Sequence, residues 1–329
     1  MVSAADSPGN DIKLFSGRAN PELAEEIGGI LGIPMGKIHI STFDDSEIHI
    51  QIEESIRGQD VFIVQSTCQP ANENLMELLI MIDTARRASA RQITAIIPYY
   101  GYGRQDHKHT GREPISAKLV ADLITTAGAD RVVSVDLHAT QIQGFFNIPM
   151  DHLTAVPILA GYFQENRVPD AVIVAPDAGR VKVAEKYRDI LDLPMALMNK
   201  RRSGIGGREV ELLDIMGDVT GKIPILIDDV VASGTPIRQA EELINAGAKG
   251  VYLAITHPVL VGPAVELLKS PNIIELVVTN TVPVPEEKRL GGKVKVLSIA
   301  PLLAKVIWRI HHNQSVSHVF EEENIMFPV

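Results

Sequence analysis

Short apolar runs alternate along this chain with segments whose apolar residues recur at three- and four-residue spacing. That alternation constrains the fold more than any other feature. Strand-like runs occupy Val61–Gln65, Ile93–Pro98, Val132–Leu137, Ala171–Ala175, Ile223–Ile227, Val251–Ile255 and Ile274–Thr279. Helix-length segments such as Leu75–Arg87, Ile115–Thr126, Val181–Leu191 and Pro236–Ala246 lie between them. The pattern predicts an α/β fold with parallel strands joined by crossover helices. Nearly continuous apolar strands predict sheets covered on both faces.

A chain of 329 residues is long enough for two such domains. A weak internal repeat supports that division. Ala127-Gly-Ala-Asp-Arg-Val-Val-Ser-Val-Asp-Leu-His138 can be laid on Ala246-Gly-Ala-Lys-Gly-Val-Tyr-Leu-Ala-Ile-Thr-His257, with five of twelve positions identical at an offset of 119. Both copies read helix end, tight turn, strand, histidine. A generic helix–turn–strand unit would look similar. A real repeat implies two α/β domains with a cleft between them and a boundary near Pro149–Pro157. The expected domains are therefore 1–150 and 151–329, with the last helix free to pack back on the N-terminal one.

Composition narrows the function. The formal net charge is −10, from 31 Lys+Arg against 41 Asp+Glu, which argues against nucleic acid as a partner. Anions must then be met by local basic clusters and backbone N–H groups. A single cysteine, Cys68, excludes an internal disulfide and a cysteine-based zinc site. Met1–Asp6 carries no basic, apolar leader. The longest charge-free apolar stretch, Gly250–Val265, is too short to span a bilayer and contains His257, Pro258 and Pro263. A cytoplasmic protein with no membrane partner is expected.

In open α/β sheets, ligands bind outside the carboxyl ends of the strands, so the polar residues there are the candidates. Ile223-Pro-Ile-Leu-Ile-Asp228-Asp229 ends an apolar strand with two acids, followed by Val230-Val-Ala-Ser233-Gly234-Thr235 and a helix. Small and hydroxyl residues entering a helix N-terminus suit a phosphate. The adjacent acids suit ribose hydroxyls or a divalent cation. The plain alternative is an ordinary turn capped by Ser233 or Thr235. A second strand end carries Asp177, followed by Gly179 and Arg180. A third carries Asp136 and His138, which share one side if the strand stays extended and then suit a metal.

Pro98-Tyr-Tyr-Gly-Tyr-Gly-Arg104-Gln105-Asp106 leaves a strand rich in aromatics and glycine and ends in a cation, a combination that suits a nucleobase and phosphates or a packed loop. Lys200-Arg-Arg202-Ser-Gly-Ile-Gly-Gly-Arg208 is the densest basic stretch. Its glycines predict a mobile loop, either solvated or able to close over a polyphosphate. The chain contains no P-loop pattern, no G-x-G-x-x-G after a strand, no G-x-S-x-G elbow and no H-E-x-x-H helix. Phosphates must be handled by other means.

Taken together, Gln65-Ser-Thr-Cys-Gln-Pro70, Pro98–Asp106, Val135-Asp-Leu-His138 with Gln141-Ile-Gln-Gly-Phe-Phe146, and Lys200-Arg-Arg202 occur in an order that resembles the ribose-phosphate pyrophosphokinases, within the phosphoribosyltransferase-like superfamily. The resemblance runs from Lys13-Leu-Phe-Ser-Gly17 to Ser315-Val-Ser317. It implies two phosphoribosyltransferase-like domains and a Mg²⁺-dependent transfer of the β,γ-diphosphoryl group of ATP to the 1-hydroxyl of ribose 5-phosphate. The products are phosphoribosyl pyrophosphate and AMP. It also implies a homo-oligomer, a hexamer in the family, with inorganic phosphate or ADP as effectors.

By the same resemblance, Phe43, Asp45, Glu47, Arg104, Gln105 and Asp106 meet ATP. His138 and Asp177 hold the metal. Asp177, Asp228, Asp229, Ser233, Gly234 and Thr235 bind ribose 5-phosphate, and Lys200 and Arg202 are the catalytic cations. Several positions depart from the family pattern. Ala232 stands where the phosphate loop usually has an acid, and that loop is one residue short, like the loops of the phosphoribosyltransferases. Ser46 replaces a common glycine in the adenine segment, Thr42 a frequent arginine, Arg180 another glycine, and Ser203 a proline. The competing readings are a phosphoribosyltransferase that consumes phosphoribosyl pyrophosphate and a non-catalytic regulatory relative.

Overall fold

The computed structural model describes residues 12–203 and 209–320. The chain divides into two compact units. The first takes residues up to His107, Pro114–Leu153 and the chain from Ser298; the second takes Lys108–Glu113 and Thr154–Leu297.

In the first unit the described residues run β1 (Ile12–Ser16), α1 (Pro21–Leu31), β2 (Ile38–Thr42), β3 (Ile48–Ile52), β4 (Asp60–Val64), α2 (Ala71–Arg87), β5 (Gln92–Ile97), α3 (Ser116–Ala127), β6 (Arg131–Val135) and β7 (Met150–Leu153). Strands β1-β4-β5-β6-β7 form a parallel five-stranded sheet in chain order, and β2 and β3 form a separate antiparallel hairpin. Val61, Ile63, Ile93, Ala95 and Ile97 pack with α2 and α3 on one face. The alternate residues Phe62, Val64 and Ile96 are also buried. Both sheet faces are therefore covered, as continuous apolar strands require.

The second unit continues with α4 (Val156–Glu165), β8 (Ala171–Ala175), α5 (Val181–Leu191), β9 (Met195–Ser203), β10 (Glu209–Met216), β11 (Ile223–Val231), α6 (Thr235–Asn245), β12 (Val251–Pro258), α7 (Ala264–Leu267), β13 (Ile273–Thr279) and β14 (Val294–Leu297). Its sheet order is β10-β9-β8-β11-β12-β13-β14. Only the β9–β10 pair is antiparallel. From β8 the chain goes to β9 on one side and returns to β11 on the other. The sheet thus has a topological switch point between β8 and β11, where α/β sheets open a crevice at their carboxyl edge. The five-stranded sheet of the first unit, laid down in sequence order, has none.

The two repeat segments fall on equivalent pieces. α3 ends at Ala127, Gly128 turns with φ 117°, and β6 follows; α6 ends at Asn245, Gly247 turns with φ 97°, and β12 follows. The histidines diverge: His257 stays within β12, buried, with Nδ1 2.9 Å from Thr281 Oγ1, whereas His138 lies beyond β6 and is exposed.

The helix α8 (Ala300–His311) belongs to the first unit and packs against α1. One charged cluster ties its end to the sheet. Arg91 Nε and Nη2 donate to the two oxygens of buried Asp60 at 2.8 and 2.7 Å, and His311 Nδ1 lies 2.7 Å from Oδ2. Burial alone would raise the Asp60 pKa, but these partners hold it below the ordinary value. Asp60→Asn should cost about 1–3 kcal/mol in urea unfolding. Because the folded carboxyl is the stronger acid, its stabilisation is present above its unfolded pKa of 3.8 and is lost as pH falls through the lower folded value. The gap between variant and parent should therefore close in acid.

The β2–β3 turn holds Ser46 at φ 74°, a left-handed conformation that costs a side chain about 1–2 kcal/mol. Glycine would relieve that cost while adding unfolded-state entropy. Ser46→Gly should stabilise the first unit by up to about 1 kcal/mol in the same titration.

Candidate active site

The acids of the second unit are set by strand register. β11 pairs with β8 only as far as Leu226↔Val174, while β12 accompanies it to Val231↔Pro258. Asp228 and Asp229 were expected to end the strand. Instead they lie within β11, in the stretch where β8 has already stopped, because β12 goes on supplying backbone partners. Asp177 begins the turn that follows β8, and its Oδ1 accepts the Gly179 N–H at 2.9 Å. These three acids therefore share the carboxyl edge on the two strands that flank the switch point.

Arg180 binds them together. Its Nη2 contacts Asp229 Oδ1 and its Nε lies 3.3 Å from Asp228 Oδ1, which also accepts the Asp229 N–H at 2.8 Å. Burial would lower the Arg180 pKa, but the charges of Asp229, Asp228 and Asp177 outweigh it and raise it. Burial, then the neighbouring Asp229 charge, pushes Asp228 well above the usual carboxylate range against the opposing pull of Arg180. In the sequence Arg180 registers only as a departure from a pattern; its partners lie 48 and 49 positions away and meet it only through the β8–β11 register.

The turn after β11 leads into α6. Ser233 and Thr235 are exposed and Gly234 is buried between them. The helix cap is Gly234, at φ 103°, with no side-chain hydrogen bond, so the alternative of a turn capped by Ser233 or Thr235 does not hold. The left-handed φ of Gly234 strains any residue with a side chain, and a Cβ there would stand 2.6 Å from Leu267 Cδ1, which would have to shift. An N-terminus without a side-chain cap leaves backbone donors for an anion. Pro236 occupies the first turn, where its missing N–H costs little.

Lys200 and Arg202 were expected in a loop. Their backbone instead belongs to β9, with Lys200 opposite Leu212 and Arg202 opposite Val210 of β10. Gly204–Arg208, the rest of the expected mobile loop, lies outside the described residues.

In the first unit, Phe43, Asp45 and Glu47 are all exposed on the β2–β3 turn. The turn is closed by the Phe43 N–H to the Glu47 carbonyl at 2.8 Å and by Asp45 Oδ1 accepting the Glu47 N–H at 3.1 Å. The Phe43 ring tilts against His49 at 5.5 Å. Arg18 ties the hairpin to α2: its Nη1 donates to Thr42 Oγ1 at 3.0 Å and its Nε to Glu77 Oε2 at 2.5 Å. Buried Gln65 completes the network by donating to Glu77 Oε1 at 3.0 Å. Arg18 and Glu77 were absent from the sequence-based candidates, since nothing local marks a partner 59 residues away.

The aromatic exit from β5 is a packed loop. Tyr100 is buried, its hydroxyl donates to the Ala117 carbonyl at 2.9 Å, and its ring meets Phe146 edge-on at 5.9 Å. A Cβ on Gly101 would lie 2.2 Å from the Thr67 carbonyl oxygen, which makes that glycine obligatory. Arg104 and Gln105 remain exposed. Gln105 accepts from Ser116 Oγ at 2.6 Å. Asp106 is buried, its oxygens engaged by His107 Nδ1 at 2.8 Å and Gln141 Nε2 at 2.5 Å.

Strand alternation does not place Asp136 and His138 on one side. β6 ends at Val135, and Asp136 turns away at φ 36°. Among the described residues no three His, Cys, Asp or Glu side chains form a group able to hold a metal. Asp177, with one oxygen committed to Gly179, fits an ion that takes one or two carboxylates and completes its shell with water and substrate phosphates, as Mg²⁺ does. Cys68 is buried with its thiol pushed up to about 11, which keeps it out of nucleophilic chemistry. No helix among the described residues is long and apolar enough to cross a membrane.

Comparison with known proteins identifies the family. Residues 12–128 match the family model for the N-terminal domain of ribose phosphate pyrophosphokinase, and residues 204–321 match the phosphoribosyl synthetase-associated domain. The chain is 53% identical over 313 residues to the ribose-phosphate pyrophosphokinase of Caldanaerobacter subterraneus, covering 94% of this chain and 98% of that one. It is 53% identical over 311 residues to the Bacillus subtilis enzyme of the same name, covering 94% and 97%. The crystal structure of phosphoribosylpyrophosphate synthetase from Mycobacterium smegmatis superposes with a TM-score of 0.86 at 47% identity, covering 92% of this chain and all of that one. With matches spanning nearly the whole of both chains, this chain belongs to the ribose-phosphate pyrophosphokinase family.

Proposed function

We propose that the chain transfers the β,γ-diphosphoryl group of Mg²⁺–ATP to the 1-hydroxyl of ribose 5-phosphate, yielding phosphoribosyl pyrophosphate and AMP. The observation that carries this reading is the carboxyl edge of the second unit. Three acids flank its switch point, and an anion-ready helix N-terminus begins within seven residues of Asp228. An acid set for hydroxyls and a donor set for a phosphate match the two ends of a pentose phosphate.

In this mechanism Asp228 and Asp229 accept hydrogen bonds from the ribose hydroxyls. The α6 N-terminus, with Ser233, Gly234 and Thr235, holds the 5-phosphate. Phe43 offers a ring face to adenine, and Asp45 and Glu47 offer acceptors beside it. Arg104 meets ATP phosphates, Gln105 reads the nucleotide alongside, and Asp106 fixes the loop through His107 and Gln141. His138 and Asp177 would hold Mg²⁺, which neutralises phosphate charge when bound. The O1 hydroxyl attacks the β-phosphorus, the bridge to the α-phosphate breaks, and AMP leaves with the bridging oxygen. The hydroxyl is a weak nucleophile and the transferred group is densely charged, so rate comes from in-line positioning and charge neutralisation. Lys200 and Arg202 supply that neutralisation.

The chain works in the cytoplasm as a homo-oligomer, a hexamer on the family pattern, with inorganic phosphate or ADP as effectors. Coupled detection of AMP from ATP, ribose 5-phosphate and Mg²⁺, with and without inorganic phosphate, tests the reading. AMP formation that requires the sugar supports it. No AMP under any of these conditions would leave the non-catalytic relative as the better reading, and consumption of phosphoribosyl pyrophosphate with a nucleobase would favour the transferase. Lys200→Ala should lower kcat by at least about 10²-fold, the scale of losing one preorganised charge, in steady-state kinetics. Near-normal turnover would remove Lys200 from the mechanism.

A further inference from the structure

Two carboxylates offered to a vicinal diol must present two acceptors side by side, and that is also what a guanidinium seeks. Arg180 Nε and Nη2 are parallel donors on one planar group, and they engage one oxygen from each of Asp228 and Asp229. The Arg180 side chain is 16% exposed and the Asp229 side chain 4%, so the pair is held away from bulk water where such bonds are strongest. Arg180 sits in the turn that follows Asp177, one residue past the Gly179 amide that fixes the Asp177 carboxylate. The turn therefore delivers the cation to the same edge from the neighbouring strand. Asp228 Oδ1 already accepts the Asp229 N–H at 2.8 Å, which leaves it little spare capacity while Arg180 is in place.

We propose that Arg180 is an affinity-determining residue whose guanidinium takes one acceptor oxygen from each of Asp228 and Asp229, so that the ribose diol competes with it for these acids. The inference rests on reading those acids as the ribose site. It makes Arg180 an internal competitor of the sugar hydroxyls. Sugar affinity is then set by the difference between a charge-assisted pair within the protein and neutral hydroxyl bonds to the ligand.

The test uses the full chain. Ribose 5-phosphate is titrated calorimetrically in the presence of Mg²⁺ and a non-hydrolysable ATP analogue, and steady-state KM values are taken for both substrates. Arg180→Ala should bind ribose 5-phosphate at least about tenfold more tightly than the parent, the lower end of what a charge-assisted bond to a buried carboxylate is worth. Arg180→Lys, a single point charge that cannot bridge two carboxylates, should fall between them. KM for the sugar should drop while KM for ATP stays within about twofold. A merely structural arginine would give weaker binding on removal, so the direction of the change decides. Should Arg180→Ala fail to fold, Arg180→Lys keeps a cation beside the acids and carries the same expectation in smaller measure. Unchanged or weaker sugar binding in the folded variants overturns the proposal and makes Arg180 a holder of the ligand. If the parent and every variant fail to bind ribose 5-phosphate, the ribose-site reading itself falls and this inference with it.

Discussion

Two adjacent carboxylates at the edge of an apolar sheet are the physical problem around which the second unit is built. β11 brings Asp228 and Asp229 out of a strand of buried Ile225, Leu226 and Ile227 into a place where water is scarce. Burial, and then the repulsion of the neighbouring charge, resist ionisation of Asp228 and push its pKa upward. They persist because β8 stops short and the turn behind it returns a guanidinium to them. Removing one partner from such a cluster strands a buried charge, which costs more than the pair contributes.

The helix that follows obeys a second constraint. Gly234 holds a left-handed backbone that favours glycine, with Leu267 close beside it. The short Ala232-Ser-Gly-Thr turn nevertheless ends at a helix start with open backbone donors, so loss of an acid and one residue leaves the anion-binding geometry of the helix intact. Two of the departures from the family pattern, Ala232 and Arg180, fall at this edge of the second unit. Ala232 leaves the turn before α6 without an acid, and Arg180 sets a cation against Asp228 and Asp229.

Much of this was legible before any coordinates. Seven apolar runs became seven strands, and Val181–Leu191 is α5 to the residue, because strand burial and helical periodicity both act locally. What escaped was short, edge-placed or mixed in pattern: β1, the β2–β3 hairpin, β7, β9, β10 and β14. The extension of β11 past its apolar run could not be read either, since its last residues owe their strand geometry to β12. Asp136 and His138 would share one side only if the strand stayed extended, and the left-handed Asp136 ends β6 before them.

The order of chemical types along the chain determined the α/β class, the two-part organisation and the family, because each depends on near neighbours in sequence or on motifs in sequence order. Only the tertiary structure decided which of those acids meet, that Tyr100 and Asp106 turn inward, that α8 returns to the first unit, and that Arg180 grips Asp228 and Asp229. Those outcomes depend on how parallel strands register across a switch point. Register joins residues some fifty positions apart through backbone hydrogen bonds that carry no side-chain signature.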